Sequence, residues 1–295
     1  MNFAAEILNY FEKNHELIEL LLIPGSEIIQ REGKQFRKLF NRKLTARDVK
    51  DTLISLRSNI HMKSLLQEKE IFSFGMPYVG RIRVSYIMQR GSYVLNIMKV
   101  PYYIPEPKEL FRDPIGFIEF AEKLGKETQG IYFVIGEHWL KNAAFNYSLL
   151  NIINKRSEKF IYVLEHPMSY LIKHESSIII QRDVDVDVRS FEEGIEDASI
   201  LEPDLVFIGK NISESVLPFL NKIEFFRFNL LSFPIPSTSL LKKTLKDSLD
   251  PYVYKDFIQH IKGVIKVELE EDEKINYFVG KPLIDKEDIQ DIIFQ

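Results

Sequence analysis

The chain has 295 residues, of which 39 are basic and 43 acidic, so its length allows two domains with separate cores. The net charge of −4 gives no electrostatic reason to expect nucleic acid or an anionic membrane as the main partner, and the lack of cysteine excludes disulfides, thiolate metal sites and thiol catalysis. Glutamates interrupt the first apolar stretch, so neither a signal peptide nor a spanning helix is predicted. We expect a cytoplasmic protein.

The first hundred residues predict a small α+β unit. Apolar residues at helical spacing predict a helix over 1–14, and Thr45 followed by Asp48 predicts a capped helix through Leu56. A turn at Arg90-Gly91 is predicted to join the last two strands. The strands predicted in this unit cover residues 17–23, 28–31, 35–40, 81–88 and 92–100.

A proline-rich segment follows this unit. Prolines at positions 101, 105 and 107 cannot donate backbone hydrogen bonds, which predicts an extended segment over 101–107 within an interdomain linker over 101–114. Beyond it, a helix over 115–125 and strands alternating with helical patterns predict a parallel sheet with crossover helices. The strands predicted there cover residues 131–135, 160–164, 177–181 and 205–208.

The stretch after the strand over 131–135 stands where a phosphate-binding loop is expected. A buried strand, a turn beginning at Gly136 and an apolar-periodic helix form the context of the motif G-x-x-x-x-G-K-[ST]. The motif needs a second glycine, a lysine for the phosphates and a hydroxyl for Mg²⁺. Those places hold Lys141, Asn142 and Ala143. The pattern therefore predicts the fold of a nucleotide site without its usual ligands.

Further motifs occur in a fixed order along the chain. They are Gly130–Gly136, Tyr162–Tyr170, the segment from Gln181, Glu202–Lys210, and in the first unit Arg81–Val84 and Gln89–Gly91. Together these segments resemble the PilT-like family of hexameric ATPases of type IV pili and type II secretion. The acidic box of that family, I-E-D-P-I-E-Y, resembles Tyr162–Tyr170, and its Q-R-E-V-G-x-D stretch resembles the segment from Gln181. Its Walker B region resembles Glu202–Lys210. Its N-terminal motifs R-F-R-V-N and Q-R resemble Arg81-Ile-Arg83-Val and Gln89-Arg90-Gly91.

The resemblance implies a PAS-like α+β domain over 1–100, a linker over 101–114 and a RecA-like P-loop NTPase-type domain with a mainly parallel sheet over 115–295. The departures concern nucleotide chemistry. Asn142 replaces the phosphate lysine, Ala143-Ala144 replace a Ser-Thr pair, and Lys210 replaces the Walker B glutamate. Glu165, a candidate water-activating base in the family, is retained but predicted to be idle. We therefore expect no ATP, Mg²⁺ or other cofactor.

Three functions are compatible with this pattern. The preferred one is a pseudo-ATPase with a structural or regulatory role in a pilus or secretion motor. It would self-associate or join an active PilT-like paralogue in a mixed ring, docked on the platform at the inner membrane, where Arg81, Arg83 and Arg90 complete a neighbour's site in trans. The alternatives are an ATPase with rearranged ligands, using Lys141, Glu165, ATP and Mg²⁺, and an adaptor that forms no ring.

Each singled-out residue also has a structural interpretation. Lys141 at a helix start is typical of a surface charge, and Trp139 of packing rather than base stacking. Arg81 and Arg83, two apart on a strand, are on the same face of the sheet, which would be a solvated face if they had no function. His138 and His166 are not at ligand spacing with Glu165, so no metal site is predicted. Lys210 is predicted to fill the vacated phosphate space and to pair with Glu165 or Glu137.

Overall fold

The computed structural model describes residues 2–15, 17–32, 35–59, 66–209, 220, 222–223, 227–272, 274–285 and 288–294. The chain forms two compact units. The first contains residues 1–103 together with 169–171, and the second contains 104–168 and 172–295. Residues 104–114, the later part of the predicted linker, thus belong to the second unit.

The first unit is an antiparallel sheet with two helices. Its core includes the fully buried Ile7, Phe11 and Leu53 from the helices and Ile82 and Val84 from the sheet. The strand order is β3-β2-β1-β6-β5-β4. The elements are α1 (Ala4–Lys13), β1 (Ile18–Leu22), β2 (Ile28–Glu32), β3 (Gln35–Leu39), α2 (Ala46–Arg57), β4 (Lys69–Met76), β5 (Gly80–Gln89) and β6 (Ser92–Val100).

Local signals account for most of these elements. Thr45 Oγ1 accepts a hydrogen bond from Asp48 N at 3.1 Å, and Asp48 Oδ2 accepts one from Thr45 N at 2.8 Å, so the predicted capping box starts α2. Arg90 and Gly91 have φ values of +50° and +74°, as a two-residue hairpin turn requires. Strand β4 was not predicted, and the PAS-like classification stays a prediction.

The second unit is built on a mainly parallel sheet, which confirms the predicted α/β class. The strand order is β14-β13-β12-β7-β11-β10-β8-β9, parallel from β12 to β9 and antiparallel from β12 to β14. The strands are β7 (Gly130–Ile135), β8 (Phe160–Glu165), β9 (Ile178–Asp183), β10 (Leu205–Gly209), β11 (Phe228–Phe233), β12 (Ile261–Leu269), β13 (Ile275–Asp285) and β14 (Asp288–Phe294). The helices are α3 (Pro107–Leu110), α4 (Pro114–Leu124), α5 (Trp139–Arg156), α6 (Phe191–Leu201), α7 (Thr238–Ser248) and α8 (Pro251–Gln259).

The carboxyl ends of the central strands lie side by side. Glu165 at the end of β8 pairs in register with Gly209 at the end of β10, and Gly209 pairs with Ser232 on β11. Ile135 at the end of β7 pairs with Phe233. In sheets of this kind ligands bind outside the carboxyl ends of the strands. We call this side of the sheet the carboxyl edge and the opposite side the amino edge.

Candidate nucleotide site at the carboxyl edge

The connection between β7 and α5 is only three residues long. β7 ends at Ile135 and α5 begins at Trp139, although the phosphate motif would keep its loop irregular up to position 141. Of the described residues 136–139 and 141–142, none has a positive φ. A nest of backbone N–H groups that binds an anion alternates right- and left-handed residues. The first turn of α5 therefore occupies the place of the phosphate cradle.

Asn142 holds this short connection closed. Its side chain is 4% exposed, and its Nδ2 donates a hydrogen bond to the Gly136 carbonyl at 3.0 Å. A Cβ on Gly136 would collide with Asn142 Oδ1 and would lie 2.7 Å from the Val267 carbonyl oxygen. Gly136 is therefore required by the packing of Asn142 and β12. Asn142, which stands where the motif has its phosphate-binding lysine, thus forms a hydrogen bond within the connection itself.

A small cavity remains beside this connection. Its volume is about 10 Å³, which is room for about one water molecule, whereas sites for small organic ligands measure about 300–1,000 Å³. Among the described residues that line this cavity, Glu165 is the one with a charged side chain. Its carboxylate would repel the negative charge of a phosphate. The lining is Trp139, Asn142, Ala143, Asn146, Glu165, Ser232 and Pro234.

Glu165 is engaged by a tyrosine from α5. Its side chain is 1% exposed, and Oε2 accepts a hydrogen bond from the Tyr147 hydroxyl at 2.7 Å. Burial, and after it the charge of Glu165, raises the pKa of Tyr147 well above its usual range. Tyr147 therefore remains a neutral donor at any working pH. The retained acidic residue holds a structural hydrogen bond and does not face open solvent.

A second asparagine extends the same arrangement. Asn146 lies one turn after Asn142, and its Nδ2 donates to Ser232 Oγ at 2.7 Å, with both residues buried. Within the described part of the chain, the Oδ1 atoms of Asn142 and Asn146 have no hydrogen-bond partner. Sequence analysis missed Tyr147 and Asn146. The available signal was two asparagines four apart, on one face of a helix that is mainly apolar up to Leu150.

The remaining residues predicted for the site are not among the described residues that line this cavity. Lys141 lies half-buried in the first turn of α5 and is not one of the described residues lining the cavity. Lys210 lies outside the described residues, so its predicted pairing with Glu165 or Glu137 stays a prediction. His166 Nε2 lies 3.6 Å from Asp185 Oδ2. Across the described ranges, no cluster of three or more His, Cys, Asp or Glu side chains is placed to hold a metal.

The predicted in-trans arginines lie in the first unit. Arg81 is half-buried and its Nε donates to Ser73 Oγ at 2.7 Å, whereas Arg83 is only 4% exposed, so a fully solvated face does not describe this part of β5. Both project from the face of β5 opposite the core residues Ile82 and Val84. Arg90 is exposed at the hairpin turn.

Comparison with known proteins gives both sequence relatives and structural neighbours. The type IV pilus ATPase PilU of Pseudomonas aeruginosa is 24% identical over 168 residues, which cover 57% of this chain and 43% of PilU. The pilus retraction ATPase PilT of the same organism is 23% identical over 139 residues, which cover 47% of this chain and 39% of PilT. The structure of the pilus retraction motor PilT with bound ADP matches with a TM-score of 0.70 and 22% identity over 95% of this chain and 82% of that one. The chain is therefore similar in sequence to PilT-like pilus ATPases, and similar in fold to the PilT structure.

Other comparisons limit how much of the similarity to PilT can be carried over to this chain. The ATPase DotB of Legionella pneumophila matches with a TM-score of 0.69 at 15% identity over 97% of this chain and 83% of DotB, which shows a shared fold. No family model matches the chain. The chain spans about two-fifths of the length of the curated relatives it matches. Of the helices that the structure describes, none combines the length and apolar content needed to cross a bilayer.

Proposed function

We propose that this PilT-like chain is a pseudo-ATPase with a structural or regulatory role in a type IV pilus or secretion motor. The observation that carries the proposal is the closed connection after β7. The helix begins within the motif, Asn142 binds the Gly136 carbonyl, and about 10 Å³ remains beside them. A triphosphate would have to unwind a helical turn and break a buried hydrogen bond to enter.

Charge supports the same conclusion. Lysine and Mg²⁺ normally neutralise the phosphates at this edge, but the charged group among the described cavity-lining residues is Glu165. Hydrogen bonds to charged groups contribute about 1.5–3 kcal/mol each, so losing two of them weakens binding by roughly two to four orders of magnitude. The carboxylate of Glu165 in the lining of the cavity would weaken phosphate binding further by repulsion.

The test is a titration of the purified protein with ATP and a nonhydrolysable analogue, with and without Mg²⁺. The single tryptophan, Trp139, lies at the start of α5 and beside the cavity, so its fluorescence reports on the site directly. We expect neither calorimetric heat nor a fluorescence change at about 1 mM nucleotide. Micromolar, Mg²⁺-dependent binding that Lys141→Ala abolishes would overturn the proposal and establish an ATPase with rearranged ligands.

A mixed ring is the form of regulation that the retained arginines favour. Arg81 and Arg90 are nine residues apart on an extended strand and its turn, so they lie about 30 Å from one another. One neighbouring phosphate cannot contact both. We therefore limit the in-trans role to the end of β5 that carries Arg81 and Arg83, in a complex with an active PilT-like paralogue in the cytoplasm, attached to the membrane through its partners.

The mixed ring is tested by reconstitution with an active PilT-like ATPase. Arg81→Ala should lower the ATPase rate of the mixture, because the neighbour's phosphates lose a cation, whereas Arg90→Ala at the far end of the strand should not. Co-sedimentation of both variants with the partner controls for assembly. Equal rates for wild-type and Arg81→Ala mixtures would exclude the in-trans role while leaving the absence of nucleotide binding untouched.

A further inference from the structure

A larger cavity lies at the amino edge of the sheet, away from the closed nucleotide site. Its volume is about 330 Å³, which reaches the range of sites for small organic ligands. It is formed by α4, by the loop before β7, and by β7, β12 and β13. We call it the lysine pocket, and the lining residues that matter here are Phe120, Lys123, Glu127, Tyr132, Lys262 and Lys281.

Two glycines shape the pocket. A Cβ on Gly263 would lie 2.5 Å from Tyr132 Cε1, so the tyrosine ring can lie across β12 only because that residue is glycine. A Cβ on Gly130, which has a φ of +89°, would lie 2.9 Å from Lys262 Cε, so the lysine stem occupies the space of a missing side chain. Backbone and side chains are thus fitted to each other, and the pocket is a built feature of the fold.

The lining carries an excess of positive charge. Glu127 is its carboxylate among the described residues, and Lys262 Nζ lies 2.8 Å from Glu127 Oε2. The Tyr132 hydroxyl donates to the other carboxylate oxygen of Glu127 at 3.4 Å. Lys123 and Lys281 are exposed, and neither forms an ion pair with any described residue. Within the described part of the chain, the ammonium groups of Lys123 and Lys281 at this cavity therefore have no carboxylate partner.

Aromatic surface adjoins these charges. Phe120 lies on α4, and its ring packs against Tyr277 with the ring centres 5.1 Å apart. Tyr132 packs against Phe228 in an edge-to-face contact at 5.8 Å. Both rings are held in place by neighbours, so they offer a preformed apolar surface next to the lysines.

We propose that the lysine pocket binds a small aromatic organic phosphate. Lysine ammonium groups recognise phosphate as point charges and need no fixed angular geometry, and the rings of Phe120 and Tyr132 would contact the planar part of the ligand. Glu127 holds Lys262, which leaves Lys123 and Lys281 for the phosphate. The pocket is separate from the nucleotide site, and its ligand does not depend on the proposed loss of ATP binding.

The experiment uses phenyl phosphate as the probe, with inorganic phosphate and phenol as its two halves. By calorimetry on the intact chain, phenyl phosphate should bind saturably with a dissociation constant of about 0.1–1 mM, and each half should bind about tenfold more weakly. Equal affinity for phenyl phosphate and inorganic phosphate would show that the rings do not contribute, which would overturn the aromatic part of the proposal. No saturable binding at about 10 mM would overturn it entirely.

Variants locate the binding. Lys123→Glu/Lys281→Glu should weaken the binding of phenyl phosphate by at least about tenfold. The control Lys50→Glu/Lys243→Glu, at exposed lysines on α2 and α7, makes the same change of net charge and should leave binding unchanged. Val279→Trp should block the pocket by volume without changing its charge. If the control weakens binding as much as the double variant does, the binding is a general charge effect and the proposal fails. Asn142→Ala should have no effect, which separates this site from the carboxyl edge.

Discussion

The two edges of one sheet have opposite characters. At the carboxyl edge, buried polar side chains fill the space, about 10 Å³ remains, and the charged lining group is a carboxylate. At the amino edge, about 330 Å³ is open and three lysines face one glutamate. The fold normally places anion binding at the carboxyl edge. Among the described residues that line the two cavities, the excess of positive charge lies at the amino edge.

The carboxyl edge is filled by side chains that form hydrogen bonds with the protein itself, while the parallel sheet behind them is intact. Asn142 and Asn146 keep hydrogen bonds to Gly136 and Ser232, and Glu165 keeps one to Tyr147. Buried polar groups are costly when they lack partners, so polar side chains that fill a binding edge need partners inside the protein. At this edge the polar side chains of α5 are paired with Gly136, Ser232 and Glu165.

The largest effect should come from crowding the closed edge. Gly136→Ala places a methyl group 2.7 Å from the Val267 carbonyl oxygen and against Asn142, and we expect a loss of about 3 kcal/mol in unfolding free energy. Urea unfolding followed by Trp139 fluorescence measures it. The control is Gly75→Ala on β4, because a Cβ there meets nothing within 4 Å. A Gly136→Ala variant as stable as this control would show that the edge is not tightly packed.

Removing the tyrosine donor should have the next largest effect. Tyr147→Phe deprives the buried Glu165 of a hydrogen bond and should cost about 2 kcal/mol in unfolding free energy. Tyr162→Phe is the matched control, since the Tyr162 hydroxyl is buried and has no hydrogen-bond partner among the described residues. Its loss should be neutral or stabilising. Similar costs for both variants in urea unfolding would mean that the bond from Tyr147 to Glu165 contributes little.

Low pH should destabilise the end of the sheet that contains β14. The expected loss of unfolding free energy is smaller than for the two preceding variants. Burial opposes the ionisation of Asp288, but hydrogen bonds from Tyr254 and Lys246 and the charge of Lys242 outweigh it and lower its pKa to about 2. Because this folded-state pKa lies below the unfolded value of about 3.9, the contribution is complete above pH ~4 and is lost as the pH falls toward 2.

Asp288→Asn tests that contribution. It should cost about 1 kcal/mol at neutral pH and flatten the dependence of the melting temperature on pH between about 4 and 2. Asp247→Asn, at an exposed position on α7, serves as the control. A pH profile that Asp288→Asn leaves unchanged would remove Asp288 as the titrating group.

The smallest effect, a change in ATP affinity close to zero, is expected from restoring the motif residues. Asn142→Lys/Ala143→Ser returns a lysine and a hydroxyl to their places, but α5 still begins at Trp139 and Glu165 still lines the cavity. We expect no gain in ATP affinity by calorimetry, together with reduced stability because a lysine is larger than the space that Asn142 fills. Micromolar binding in this variant would show that residue identity alone had abolished the site.

Much of the fold follows from local patterns. The apolar runs over 131–135, 160–164 and 205–208 correspond to β7, β8 and β10, and the capping box at Thr45 starts α2. Strand β4 and the hairpin of β13 and β14 were missed, because their apolar residues are interrupted by charged and polar ones. Their pairing partners, not their own periodicity, make them strands.

The candidate site was predictable only in part. The loss of the phosphate lysine and hydroxyl is visible in the motif itself. That Asn142 turns back onto Gly136, and that Tyr147 reaches Glu165, depends on the packing of α5 against β8, which no local spacing encodes. Lys123, Lys262 and Lys281 come together only because β12 pairs with β7 across more than a hundred residues of chain.

The early start of α5 has an evolutionary consequence. A single substitution toward the phosphate motif meets a helical turn that excludes the ligand, while a change that loosens the turn exposes the unpaired carbonyl of Gly136 without any ligand to cover it. Each substitution toward the phosphate motif is therefore expected to lower stability before it allows any contact with phosphate. The loss of nucleotide binding that we propose would therefore be difficult to reverse by single substitutions.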